Sequence, residues 1–223
     1  MKQKFTILFD LDGTLVDTAP DLMLAHNHVM KKFGYPTKST EDIRNLVGKG
    51  AGALIGRSIW GQAKKEFSKV LDAKIKDEMV KEFVNFYGKN IVNESTLVTG
   101  VKDFLIWCKE QNISMAVCTN KQEHLSNDLL KKIGIYDFFE YVAGSDTFDY
   151  CKPDPRHLTN VVEILDGDVK KTIMIGDSET DANAAKAAEI PVILLENGYT
   201  EKNTTEIYHN YLIKDFIGIE RII

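Results

Sequence analysis

Short apolar runs recur along this chain, and they restrict its possible folds more than any other feature does. Phe5–Phe9 (FTILF), Ile113–Cys118 (ISMAVC), Thr172–Ile175 (TIMI) and Pro191–Leu195 (PVILL) carry almost no polar alternation. Runs this short and continuous predict strands buried on both faces. Helical spacing fills the intervals, with apolar faces at Val101, Phe104, Leu105 and Cys108, at Leu125, Leu129, Leu130 and Ile133, and at Leu158, Val161, Val162 and Leu165. An alanine-rich helix is expected over Ala182–Ala188, and short strands over Tyr141–Ala143 and Tyr211–Ile213. Strands alternating with helices require right-handed crossovers, which predicts an α/β fold, a doubly wound parallel sheet covered on both faces.

Residues 17–90 break this alternation. Leu22, His26, Val29, Met30 and Phe33 share one helical face that ends at Gly34. Ile43, Leu46 and Val47 open a second helical patch, and Ile75, Met79, Phe83, Phe86 and Tyr87 mark a long helix ending at Gly88. With no strand signal here, the chain divides into an α/β core, residues 1–16 and 91–223, and a helical domain, residues 17–90, inserted after the first strand. Gly48, Gly50, Gly52, Gly56 and Gly61 fall close together, a density that predicts a loop approaching a ligand.

The chain has 223 residues and a net charge of −5. The insert holds 13 Lys+Arg against 9 Asp+Glu, net +4, so the remainder is net −9. An acidic balance argues against a partner bound through its phosphate backbone, such as a nucleic acid. No apolar run reaches the roughly 18–20 residues that span a bilayer, so no membrane association is expected. Cys108, Cys118 and Cys151 show neither disulfide-scaffold nor metal-ligand spacing. Reduced thiols and the absence of a signal-like start point to a cytoplasmic protein. No heptad seam appears, and the expectation is a monomer or weak homodimer.

Ligands of open α/β sheets bind beyond the carboxyl ends of the strands. The first run is followed by Asp10-Leu11-Asp12-Gly13-Thr14, the second by Thr119-Asn120, and TIMI by Gly176-Asp177-Ser178-Glu179-Thr180-Asp181. Taken singly these have structural readings: Asp12-Gly13 as a hairpin turn, Thr119-Asn120 and Asp177-Ser178 as helix caps, and Lys152 in Cys151-Lys152-Pro153-Asp154-Pro155 as a solvated loop lysine. Their placement in one topology predicts instead that they converge. Clustered carboxylates need a cation among them, and hard oxygen donors suit Mg²⁺. A carboxylate can also act as nucleophile in phosphoryl transfer, with a second carboxyl as acid and base.

DLDGT (Asp10–Thr14), Thr119, Lys152 in KPDP and GDSETD (Gly176–Asp181) resemble, in order, the four motifs of the haloacid dehalogenase superfamily. The resemblance covers essentially the whole chain and places the insert where that family carries its cap. VGKGAGAL (Val47–Leu54) looks most like the phosphoglycolate phosphatase branch. The resemblance implies that Asp10 attacks phosphorus and that Asp12 is the general acid/base, its carbonyl also binding Mg²⁺. It further implies that Thr119 and Lys152 hold the phosphoryl group, that Asp177 ligates Mg²⁺ beside Asp10, and that Asp181 supports the metal shell or Lys152. An acid at Asp12 argues against halide displacement, since the dehalogenases lack one there. The implied partner is a small phosphorylated metabolite, with 2-phosphoglycolate as the expected substrate. Asn120 at the strand end, with Arg44 and Lys49 flanking the glycine cluster, are candidate substrate-binding residues. A mutase of the β-phosphoglucomutase type and a non-catalytic phosphate-binding or regulatory protein are the alternatives. In the first reading, the insert's positive charge faces the substrate.

Overall fold

A computed structural model describes residues 4–66 and 73–223 of the chain. In order, its elements are β1 (Thr6–Phe9), β2 (Val16–Asp17), α1 (Ala19–Phe33), α2 (Thr40–Arg44), α3 (Ala51–Glu66), α4 (Ala73–Lys89), β3 (Thr96–Leu97) and α5 (Val101–Glu110). There follow β4 (Ser114–Cys118), α6 (Glu123–Ile133), β5 (Tyr141–Ala143), α7 (Arg156–Ile164), β6 (Thr172–Gly176), α8 (Glu179–Ala187), β7 (Val192–Leu195) and β8 (Tyr211–Ile213). Six strands form one sheet in the order β5-β4-β1-β6-β7-β8, and every pair is parallel.

The period of two explains how both faces are covered. Ile7, Phe9, Met115, Val117 and Ile175 point to one side, where they pack with Phe104 and Leu105 of α5 and Leu129 of α6. Leu8, Ala116 and Met174 point to the other, against Leu158 and Val161 of α7 and Ala182 and Ala185 of α8. Small alanines on α8 let that helix lie close to the sheet.

Four helices leave the core between β2 and β3, two short strands paired antiparallel through Val16↔Leu97 and Asp17↔Thr96. The sequence pattern showed no strand here; two residues per strand are too few for alternation to register. Helix α4 packs between α1 and α3. Asp21 ties the far end of the insert, its carboxylate accepting from the backbone N–H groups of Asn93, Glu94 and Ser95 at 2.9–3.2 Å. Among the described residues no helix is long and apolar enough to cross a membrane.

Three local expectations differ from the structure. The glycine cluster is a loop only at Gly48–Gly50, because Gly52, Gly56 and Gly61 lie inside α3. Burial of Leu54, Ile55 and Ile59 outweighs a helix cost of about 1 kcal/mol per glycine. The helix expected to stop at Gly88 continues to Lys89, and Leu46 and Val47 fall beyond the end of α2.

Candidate active site

Strand register assembles the site. Asp10 follows β1, and its N–H donates to the Ile175 carbonyl at 2.9 Å, extending the ladder by one residue. With Phe9 opposite Val117 and Ile175, Asp10 is level with Cys118 and Gly176, one residue before Thr119 and Asp177. All three strand ends therefore meet at one edge, in the middle of the sheet.

Lys152 arrives from the loop between β5 and α7 and is buried. Its Nζ lies 2.6 Å from Asp181 Oδ1 and 2.9 Å from Asp10 Oδ1, although that Asp10 oxygen meets no donor in hydrogen-bonding alignment. Burial alone would pull the lysine pKa down; Asp10 and Asp181 more than reverse this and raise it. Asp181, in the first turn of α8, also accepts from the N–H groups of Asp177 and Ser178 and from the Ser178 hydroxyl. It is both a helix-capping group and the anchor of Lys152, with each oxygen engaged.

Asp177 is held from a different direction. Its Oδ2 accepts from the Tyr199 N–H at 2.6 Å. The turn after Asp12 passes close to it: Gly13 has φ +84°, and a Cβ there would overlap Asp177 Oδ2 and touch the Tyr199 ring. The Tyr199 hydroxyl donates to Asp17 and accepts from the Ala19 N–H, so one residue, through its backbone and its side chain, links a site carboxylate to the start of the insert. Sequence reading missed Tyr199; it contacts Asp17 across 182 residues of chain, and no local pattern marks such a pair.

Asp10, Asp177 and Asp181 each present an oxygen within 4.8 Å of the others. Burial pushes the Asp10 carboxyl up to about 6 despite Lys152, and it raises Asp177 as well, with Asp10 and Asp181 adding repulsion. Three buried carboxylates against one buried ammonium leave the cluster short of positive charge. Its donors are hard oxygens. The residues present therefore fit a divalent metal ion.

A cavity of about 280 Å³ opens beside Asp10 and Asp12. Thr119, Asn120 and the Gly48–Gly50 loop also line it. Neither Thr119 nor Asn120 caps α6, whose N-cap is Gln122. The Asn120 amide instead donates to the carbonyls of Gly48 and Lys152, at 3.1 and 2.9 Å, clamping the insert's glycine loop to the core.

Lys121, two residues beyond Thr119, was also missed by sequence reading. Its Nζ is 2.8 Å from both carboxylate oxygens of Asp12, and Thr18 donates to the same carboxylate at 2.7 Å. The available signal was a lysine placed within the same strand-end turn as Thr119.

Lys49 lines the cavity. Arg44 does not: it pairs with Asp17 at 2.7 Å and lies over the Tyr199 ring, because that carboxylate satisfies it. Arg57 donates to the Asn45 and Leu46 carbonyls and pairs with Glu201. Among the described residues of the insert, Lys49 is the one cation that lines the cavity. Beside Lys49 and the glycine loop, the insert presents apolar side chains there, including Leu22, Val80, Phe83 and Val84.

The sequence profile of the haloacid dehalogenase-like hydrolases matches residues 7–195. A phosphoglycolate phosphatase of Mesorhizobium japonicum is 37% identical over 210 residues, covering 94% of this chain and 90% of that one. One of Caulobacter vibrioides is 38% identical over 216 residues, covering 97% and 89%. The crystal structure of a predicted phosphoglycolate phosphatase from Haemophilus somnus 129PT matches with a TM-score of 0.92 at 30% identity, over 100% of this chain and 99% of that one. A β-phosphoglucomutase from Clostridium difficile shares the fold, with a TM-score of 0.78 at 22% identity over 98% and 95% of the two chains. On the profile match and these relatives, this chain belongs to the haloacid dehalogenase-like hydrolase family and is an enzyme of its phosphoric monoester hydrolase kind.

Proposed function

We propose that this enzyme is a Mg²⁺-dependent phosphatase of a compact phosphomonoester, 2-phosphoglycolate, working through an aspartyl phosphate on Asp10. The observation that carries this reading is the Asp10–Asp12 pair at the end of the central strand. One carboxylate sits inside the acidic cluster with Lys152, and the other faces the cavity on Lys121. The named relatives support the substrate, and the modest cavity suits a compact ester better than a nucleotide.

An Asp10 oxygen attacks phosphorus as the ester P–O bond breaks, and Asp12 donates a proton to the departing oxygen. Water then attacks phosphorus and gives a proton back to Asp12; the Asp10–phosphorus bond breaks, releasing inorganic phosphate. Thr119 and Lys152 hold the phosphoryl oxygens through both steps. Asp10, Asp177 and the Asp12 carbonyl would hold the Mg²⁺, which supplies neutralising charge to the phosphoryl group, while Asp181 keeps Lys152 and the Asp177 turn in place. Residues 17–90 act as a cap domain that keeps bulk water from the intermediate.

The test is phosphate release from a panel of phosphomonoesters with and without Mg²⁺, ranked by kcat/KM. 2-Phosphoglycolate should rank first and depend on the metal. Interconversion of sugar phosphates without net phosphate release would identify a mutase instead, and inactivity on every ester would sink the phosphatase reading.

A further inference from the structure

We infer that Lys121 receives a second anion of the substrate, a carboxylate one or two carbons from the ester oxygen, and so selects phosphorylated small acids over neutral esters. This rests on the proposed phosphatase reading and adds a residue to it.

Position comes first. A group that protonates the leaving oxygen must lie within about 2.6–3.2 Å of it. The Lys121 ammonium is one further hydrogen bond beyond Asp12, at 2.8 Å from either oxygen. The leaving side of the ester is then within two hydrogen bonds of Lys121.

Charge is the second observation. Among the described residues, the cavity lining holds two cations, Lys49 and Lys121. The Lys121 side chain is only 5% exposed. Lys49 sits in the glycine loop and also lines a second groove beside Ser178 and Tyr199. Lys152 is engaged with Asp10 and Asp181.

The surrounding wall completes the argument. Val80, Phe83, Val84 and Leu125 offer no hydrogen bonds to a polar tail. A carboxylate leaving water needs a charged partner, and Lys121, whose charge Asp12 shares, is the buried cation that lines the cavity. Tyr87, also in the wall, places its ring 4.5 Å from Lys121 Nζ, and its buried hydroxyl meets no partner. The ring directs the ammonium.

The experiment compares 2-phosphoglycolate with ethyl phosphate, which has the same backbone without the carboxylate. Turnover of both esters is measured for wild type, Lys121→Met and Lys121→Arg, with thermal melts to confirm folding. Equilibrium binding of both esters to Asp10→Asn protein, with and without Lys121→Met, reads the same preference independently of turnover. The expected result is a loss for Lys121→Met about 100-fold larger on 2-phosphoglycolate than on ethyl phosphate, chiefly in KM and in binding, with most of the preference kept by Lys121→Arg. Equal losses on the two esters would overturn the inference, leaving Lys121 as a positioning residue for Asp12. A wild-type enzyme that hydrolyses both esters without preference would also overturn it, while leaving the phosphatase reading standing. Inactivity on all esters alongside preserved carboxylate-dependent binding would overturn the phosphatase reading alone.

Discussion

Asp10 and Asp12 are two residues apart and end up in different environments. Asp10 is buried against Lys152 in a crowded acidic cluster; Asp12 faces the cavity on Lys121 and Thr18. Such a division suits a nucleophile and a proton carrier. Asp10→Asn should lower kcat by about 10⁴-fold or more in a steady-state phosphate-release assay. Asp12→Asn should cost about 10²–10⁴-fold and slow both formation and hydrolysis of the intermediate in single-turnover measurements. These positions were legible because each strand-end residue follows its apolar run directly. Lys121 was less so, since nothing in the sequence distinguishes a cation that pairs with Asp12 from one that faces water. Arg44 shows the opposite failure. Its place beside the glycine loop suggested substrate, while Asp17, far from it in sequence, holds it by an ion pair.

At the level of elements, the sheet was readable from run length and alternation, and helices α1 and α4 from helical periodicity. The connections between them were not. Strands β2 and β3 are too short to leave a pattern, and the link from Asp177 through Tyr199 to Asp17 joins three distant segments. The turn at Gly13 is where these pieces meet. Gly13→Ala introduces a Cβ into the space of Asp177 Oδ2 at a positive φ, so it should destabilise the protein by about 1–3 kcal/mol in urea unfolding. It should also reduce turnover by displacing the Asp12 turn or Asp177. Wild-type stability and kcat in this variant would show that the turn tolerates the displacement. The same logic explains why the expected glycine loop shrank: α3 retains its glycines because its apolar face is buried.

For the whole molecule, the acidic total conceals an arrangement different from the one its distribution suggested. The core's excess negative charge does include the clustered carboxylates, but the insert presents mainly an apolar wall to them. Stability also has a pH signature outside the carboxylates themselves. His157 is fully buried on α7, edge-on to Phe148, and burial together with the Lys152 charge pulls its pKa from 6.5 to about 4. Between those values the unfolded chain binds a proton that the folded protein refuses, so stability falls as pH drops from 6.5 toward 4. The contribution at pH 5 is about 2 kcal/mol. His157→Leu should therefore lose less stability than wild type between pH 7 and pH 5 in paired denaturant titrations. Parallel losses would mean that His157 is protonated within the fold.

Covalent capture of phosphorus by Asp10 is the central step of the proposed reaction. The direct measurement is an acid quench during turnover of 2-phosphoglycolate labelled in its phosphoryl group, followed by peptide mass spectrometry. One phosphoryl group on the peptide carrying Asp10, absent from Asp10→Asn protein, is the predicted result. Sustained turnover with no labelled peptide, or with the label on another residue, would contradict it.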